Sequence, residues 1–212
     1  MKIALINGSP KAGKNNSGRL LQFLEPLIGQ EHELLRCHIG RKPLSEAEYW
    51  ALCHMDALVL AFPLYVDSLP SHLLRMLVEL EEYMKAERTK EIMLYAIVNN
   101  GFFEGTQNRI AISILQNWCA RTGVRFGQAI GQGAGEMLQF VEKVPRGHGP
   151  MKNLAQAMEV FAANLQSRRS GETILLSPNF PRFAWRISGT RFFNSAARQN
   201  GLKKKDIKRR LI

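Results

Sequence analysis

The loop formed by residues 8–17 holds the first group of side chains that could do chemistry. It follows a short apolar run and precedes a helical pattern, so unpaired backbone amides and the positive end of a helix dipole would both point at it. Its small residues let the backbone approach a ligand, and Ser9, Asn16 and Ser17 offer hydrogen-bond donors. These properties predict an anion site, and a phosphate site above all.

Two interpretations of this loop follow from the residues alone. It matches the nucleotide-triphosphate pattern G-x-x-x-x-G-K-[ST] at Gly8, Gly13 and Lys14, but Asn15 stands where that pattern requires the magnesium-binding hydroxyl. The other interpretation is an ordinary strand-to-helix turn, although ten residues exceed the usual length of about two to six.

Strand and helix patterns alternate along the chain around this loop. Apolar runs predict strands at residues 3–6, 57–62 and 92–98. A weaker strand is predicted at residues 32–39, and a fifth strand at residues 124–130. Apolar residues at helical spacing predict helices near residues 20–28, 45–53, 73–84, 110–118 and 154–165. The alternation predicts an α/β fold with a doubly wound parallel sheet, whose ligands bind beyond the carboxyl ends of the strands.

Four segments at those strand ends carry a resemblance to a known family. They are Gly8-Ser9-Pro10-Lys11 with Asn16-Ser17, Pro63-Leu64-Tyr65-Val66 with Leu69-Pro70, Asn99-Asn100-Gly101-Phe102-Phe103-Glu104, and Gly131-Gln132-Gly133-Ala134-Gly135. Over roughly residues 1–165 the chain resembles the flavodoxin-like NAD(P)H-dependent FMN reductases. The resemblance implies a flavodoxin-like sheet of five strands in the order 2-1-3-4-5 and noncovalent binding of FMN.

The resemblance also implies which residues bind the cofactor. The phosphate would be held by Ser9, Lys11, Asn16 and Ser17. The flavin ring would be held by Pro63, Leu64, Tyr65, Val66, Asn99, Asn100, Gly101, Phe102 and Phe103. In this arrangement the residues after the third strand form an apolar ledge, and the amides after the fourth strand bind the polar edge of the ring.

Other interpretations of these loops remain open. Residues 63–70 also suit a rigid surface turn, and Phe102 and Phe103 also suit a dimer contact. We expect residues 131–135 to be flexible and to border the pocket without supplying chemistry.

The reaction implied by the resemblance is hydride transfer from NAD(P)H to bound FMN, then to a small acceptor such as a quinone or a flavin. Such reductases are commonly homodimers. No acid–base pair stands out, because Asp67, His72 and Glu104 suit a solvated surface better than catalysis, so catalytic residues stay unassigned. A non-enzymatic flavin-binding carrier or scaffold is the alternative function.

Cysteine and histidine spacing gives no sign of a metal site or a disulfide scaffold. The three cysteines, Cys37, Cys53 and Cys119, are widely separated, and the five histidines form no metal-binding motif. We interpret the cysteines as buried, reduced thiols.

Positive charge is concentrated at the carboxyl end of the chain. Residues 175–212 hold 10 of the 29 Lys and Arg residues but only one of the 18 Asp and Glu residues, so the remainder is nearly neutral. We therefore predict an FMN-binding domain over residues 1–172 and a basic, aromatic-containing extension over residues 173–212.

Three roles suit this extension: a helical appendix packed on the domain, a peripheral contact with an anionic membrane, or a nucleic-acid contact. The sequence shows no groove-reading motif, so nucleic acid is the least favoured. The longest apolar run, residues 57–66, is far too short to span a bilayer, and the first residues do not form a secretory signal. A cytoplasmic location is the expectation.

Overall fold

Six strands form one parallel sheet within the residues that the structure describes. The structure is a computed structural model, and it describes residues 1–40, 42–203 and 205–206. The strands are β1 (Lys2–Asn7), β2 (Glu33–His38), β3 (Ala57–Pro63), β4 (Met93–Asn99), β5 (Arg125–Gln132) and β6 (Ile174–Leu176). Their order is β2-β1-β3-β4-β5-β6, and every neighbouring pair is parallel.

The predicted parallel α/β sheet is confirmed, but the predicted number of five strands is wrong. β6 adds a sixth strand, which pairs with β5 from Ile130 opposite Ile174 to Gln132 opposite Leu176. Three residues are too few to show a strand period, and Pro178 follows almost at once, so the sequence pattern does not reveal this strand. β6 lies beyond residue 172, where we placed the end of the domain.

Helices cover both faces of the sheet. They are α1 (Asn16–Ile28), α2 (Glu46–Cys53), α3 (Ser71–Glu87), α4 (Arg109–Thr122) and α5 (Lys152–Gln166), with short 3-10 helices at Gly105–Asn108, Gly135–Phe140 and Gly149–Met151. All five helical patterns are confirmed. Local signals fix some of the ends: a reciprocal capping box between Ser45 and Glu48 begins α2, and Gly123 in the left-handed conformation ends α4.

The core consists of two layers, one on each face of the sheet. Alternate residues of a strand enter opposite layers: Ala4 and Ile6 of β1 pack with α2, α3 and α4, whereas Ile3 and Leu5 pack with α1 and α5. Because both faces are covered, the central strands β1, β3 and β4 appear in the sequence as apolar runs. The sheet is therefore a rigid support for the loops at its carboxyl edge.

The chain forms two units, Met1–Pro178 and Asn179–Ile212. The second unit contains α6 (Arg182–Gln199), in which no side chain is buried and Phe183 and Phe193 are 71% and 69% exposed. Of the predicted basic run, Lys204 and residues 207–212 lie outside the described residues. Within the described ranges, no helix is both long enough and apolar enough to cross a bilayer.

Candidate functional site

Asn99 connects the predicted segments at the carboxyl edge of the sheet. Its side-chain Nδ2 donates to Ser17 Oγ at 3.2 Å and to the Phe62 carbonyl at 3.0 Å. Its own carbonyl accepts from the Leu64 amide at 2.8 Å. The start of α1, the end of β3 and the end of β4 therefore meet around one buried amide side chain.

The conformation of loop 8–15 is set by Asn15, the buried N-cap of α1. Its Oδ1 accepts from the Gly18 amide at 2.9 Å, and its Nδ2 donates to the carbonyls of Lys11 at 3.1 Å and Gly13 at 2.9 Å. The motif comparison presented Asn15 only as a residue without the magnesium-binding hydroxyl, so its capping role was not predicted. The signal was present, since Asn is among the preferred residues at a helix N-cap.

Ser9 is buried inside the same loop. Its amide donates to Asn7 Oδ1 at 3.0 Å, and its Oγ accepts from the Lys11 amide at 3.3 Å. The Ser9 carbonyl lies 2.8 Å from His38 Nε2, a contact that assigns the ring proton to that nitrogen. His38 was not among the predicted residues, although the expected strand order 2-1-3-4-5 places the end of β2 beside the end of β1.

His72 lies near Gly8 of the same loop and is partly buried, whereas we expected it on the solvated surface. Burial lowers its pKa, and the nearby His38 and Arg75 lower it further. Backbone carbonyls of Gly8 and Ile39 act in the opposite direction. The imidazole therefore favours its neutral form beside the predicted phosphate loop.

The four predicted phosphate residues differ in exposure. Ser9 and Ser17 are buried, Asn16 is partly exposed and accepts from Arg19 Nη1 at 3.2 Å, and Lys11 is exposed. All four lie on the loop or the first turn of α1. Their contact with a phosphate remains a prediction.

The loop after β3 forms a strained turn. Tyr65 and Ser68 exchange two backbone hydrogen bonds of 3.0 and 2.9 Å, and between them Val66 and Asp67 have φ values of 48° and 58°. Two successive left-handed residues define a type I′ turn, which normally contains Asn-Gly. A β-branched residue there is strained, and the Val66 side chain is 97% exposed. The predicted ledge therefore consists of partly buried Pro63 and Leu64, with Tyr65 and Val66 projecting beyond them.

The loop after β4 is closed by Asn100. Its Oδ1 accepts from the Phe102 amide at 2.9 Å, and its Nδ2 donates to the Glu104 carbonyl at 3.1 Å. The Asn100 amide thus holds the loop, and its contact with the edge of a ligand ring remains a prediction. Phe102 is exposed and Phe103 partly buried, and a Cβ added at Gly101 would meet no atom within 4 Å.

Glycines allow the loop after β5 to pack closely against the loop after β4. A Cβ at Gly133 would lie 2.2 Å from the Phe103 carbonyl oxygen, and one at Gly105 would lie 2.5 Å from the Leu176 carbonyl oxygen. Hydrogen bonds from Gly133 N to the Leu176 carbonyl at 2.9 Å and from Gly135 N to the Asn100 carbonyl at 2.7 Å hold the same contacts. We expected this segment to be flexible. In the structure it packs against the loop after β4 and against β6, and it supports the site.

Thiol chemistry is disfavoured at all three cysteines. Burial raises the pKa of Cys53 to about 11 and that of Cys119 to about 12, and it also raises the pKa of the partly buried Cys37. Protonated thiols are poor nucleophiles and poor metal ligands. In the described part of the chain, no three His, Cys, Asp or Glu side chains group as metal ligands would.

Similar folds occur in three solved enzyme structures. An NADH:FMN oxidoreductase in its apo form has a TM-score of 0.60 at 18% identity, over 81% of this chain and 91% of the other. An NADPH-quinone reductase from P. pentosaceus has a TM-score of 0.58 at 15% identity, over 76% and 98%. An FMN-dependent NADH-azoreductase from Bacillus anthracis, solved with FMN, has a TM-score of 0.54 at 14% identity, over 78% and 100%.

No protein-family model and no curated protein matches the sequence. At these low sequence identities, the similarity shows only that the folds are alike. The order 2-1-3-4-5 of the first five strands and the superpositions together identify the fold of this protein as flavodoxin-like, with β6 added at one edge.

Proposed function

We propose that the chain is an FMN-binding, NAD(P)H-dependent oxidoreductase that passes electrons to a small acceptor such as a quinone or a flavin. This proposal rests mainly on the contacts of Asn99. Its side-chain amide joins the start of α1, where the phosphate would bind, to the end of β3, where the ring would bind. The similar structures support the same chemistry: all three are named for NADH or NADPH, and two for FMN.

The loop before α1 fits a phosphate group. Asn15 caps the Gly18 amide, and the amides of Asn16 and Ser17 precede the first bonds of the helix. These amides, the hydroxyls of Ser9 and Ser17 and the positive charge of Lys11 are suitable partners for the FMN phosphate.

The loops after β3 and β4 fit a flat ring. Pro63 and Leu64 supply partly buried apolar surface, and the open space beside Gly101 admits close approach of a ligand to the backbone. Tyr65 and Phe102 are half exposed, and they supply aromatic surface that would exclude water from a ring between the two loops. Asn99 fixes the loops relative to one another.

Bound FMN would supply the hydride-accepting and electron-transferring chemistry. The residues assigned to the ring are apolar, aromatic or amide side chains, so the protein contributes binding, orientation and exclusion of water rather than a proton. His72, in its neutral form, adds no positive charge of its own beside Gly8.

Substitutions at the start of α1 test the phosphate assignment. Asn16→Ala and Ser17→Ala should each weaken FMN binding by about tenfold, because each removes a hydrogen bond to a charged group. The affinity can be measured from the quenching of FMN fluorescence on binding.

Ser170→Ala is a matched control for Ser17→Ala. Ser170 Oγ also makes one hydrogen bond, to the Phe126 carbonyl at 2.8 Å, but near the amino end of β5 and far along the strand from the site. This variant should bind FMN like the unchanged protein. Unaltered affinity in both α1 variants would exclude the phosphate assignment.

A second part of the proposal concerns α6, which would bring the protein to an anionic membrane surface. Phe183, Ile187 and Phe193 are exposed on this helix, which carries four arginines and no acidic residue. Apolar side chains among cations favour an interface with acidic lipids. The homodimer and the cytoplasmic location also remain proposals.

Vesicle sedimentation tests the membrane contact. The full chain should sediment with phosphatidylserine-containing vesicles at low salt, and less so at high salt, whereas pure phosphatidylcholine vesicles should retain little. A chain ending at Pro178 keeps β6 and should lose this binding. Equal sedimentation of both chains, or none by either, would contradict the assignment.

A further inference from the structure

A cavity of about 650 Å³ lies beside the proposed FMN site, between α1 and the segment that joins β5 to α5. It shares Gly13, Lys14 and Asn15 with loop 8–15, but none of the residues assigned to FMN lines it. Its volume lies within the range of roughly 300–1,000 Å³ that is typical of small-molecule sites. The cavity therefore needs an explanation of its own.

The floor of the cavity is apolar and already formed by the core. Leu20, Leu138, Met151 and Leu154 line it and are all buried, and the ring of Phe23 completes it. A sugar phosphate without an apolar part would leave this floor uncovered. A ligand that fills the cavity must therefore bring an apolar or aromatic body.

The rim of the cavity is positively charged. Lys14, Arg19 and Arg146 line it against a single carboxylate, that of Glu142. Arg19 pairs with Glu142 through Nε and Oε1, so two positive charges remain in excess. A metal cation is disfavoured there, and an anion is favoured.

Arg146 is placed to connect the two parts. Its guanidinium carbon lies 4.5 Å from the centroid of the Phe23 ring, so it stacks on the apolar floor. Stacking uses the face of a guanidinium, and the N–H groups at its edge can then bind an oxyanion.

We propose that this cavity binds a small aromatic anion, with its ring over Leu138 and Leu154 and its acidic group at Arg146 and Lys14. A nucleotide phosphate and an aromatic sulfonate or carboxylate share this chemistry. The site is separate from the flavin site and does not depend on it.

Titration with the fluorescent probe 1-anilinonaphthalene-8-sulfonate tests the proposal on the full chain. Arg146→Ala should weaken probe binding by about tenfold, because a charge-assisted contact is lost. Glu142→Gln should tighten binding several-fold, because Arg19 then loses its internal partner. Arg125→Ala, at the start of β5, removes one exposed arginine elsewhere and should change nothing. Thermal unfolding of each variant checks that the fold is retained.

Competition then identifies the source of the anion. Displacement of the probe by 5′-AMP assigns a nucleotide, and Arg146-dependent binding without such displacement assigns an aromatic sulfonate or carboxylate. Probe affinity that is the same in the Arg146 and Glu142 variants as in the unchanged protein would overturn the proposal. Expulsion of the probe by saturating FMN would also overturn it, because the cavity would then belong to the flavin site. If the protein fails to bind FMN yet binds the probe through Arg146, the proposed function falls and this inference stands.

Discussion

Asparagine side chains hold the candidate site together. Asn15 and Asn100 each fix their own loop through both ends of the side-chain amide. Asn99 joins the start of α1 to the end of β3, two segments that are distant in the sequence, through two donor bonds. The sequence predicted that Asn99 and Asn100 lie at a strand end, which the structure confirms. It did not predict their partners, because the direction of an amide depends on tertiary neighbours that no local pattern encodes.

The strained backbone at Val66 gives a prediction for a single residue. Val66→Asn should raise the free energy of unfolding by about 1 kcal/mol, because asparagine tolerates the left-handed region that valine resists. The side chain is 97% exposed, so no burial is lost. The same change should weaken FMN binding if Val66 belongs to the ring ledge. Denaturant unfolding and FMN titration measure the two effects.

Val160→Asn is the matched control for this change. Val160 is half exposed on α5 and has ordinary helical geometry, so asparagine there should give no gain in stability. A Val66→Asn protein that is less stable than the unchanged chain would show that the turn is not strained.

At the scale of elements, two loops and a short strand form one interlocked support. The four glycines at residues 105, 131, 133 and 135 let the loops after β4 and β5 and the edge of β6 approach one another closely. The sequence showed three of these glycines in one segment but suggested flexibility, because glycine is used both for mobile loops and for close packing. The contacts with the loop after β4 and with β6 distinguish these uses, and neither contact has a local signal in the sequence.

Two glycine substitutions distinguish a glycine that stabilises the fold from one that contacts the ligand. Gly133→Ala should lower the free energy of unfolding by about 1–3 kcal/mol, because its Cβ would lie 2.2 Å from a backbone oxygen. Gly101→Ala should leave stability nearly unchanged, because its Cβ meets nothing within 4 Å. If the flavin approaches Gly101, that second variant should nevertheless bind FMN more weakly.

The readouts are thermal unfolding without ligand and FMN titration. Loss of stability in the Gly101 variant would contradict the open space described there. Full FMN affinity in that variant would remove Gly101 from the site.

At the scale of the whole molecule, the fold could be predicted from the sequence because both faces of the sheet are buried. The central strands β1, β3 and β4 appear as apolar runs because their residues enter both core layers, and five helices appear as apolar stripes at helical spacing. The cavity beside α1 was not predicted, because its lining comes from α1, the joining segment and α5 together. The role of α6 is not fixed by any of these patterns.

The most direct test of the proposed function is the absorption spectrum of the protein mixed with FMN and passed through a desalting column. We expect about one flavin retained per chain, with visible bands that bleach when NADH or NADPH is added without oxygen and return with a quinone or free flavin. A colourless protein that retains no FMN would contradict the account, since the segments that meet at Asn99 would then not form a flavin site.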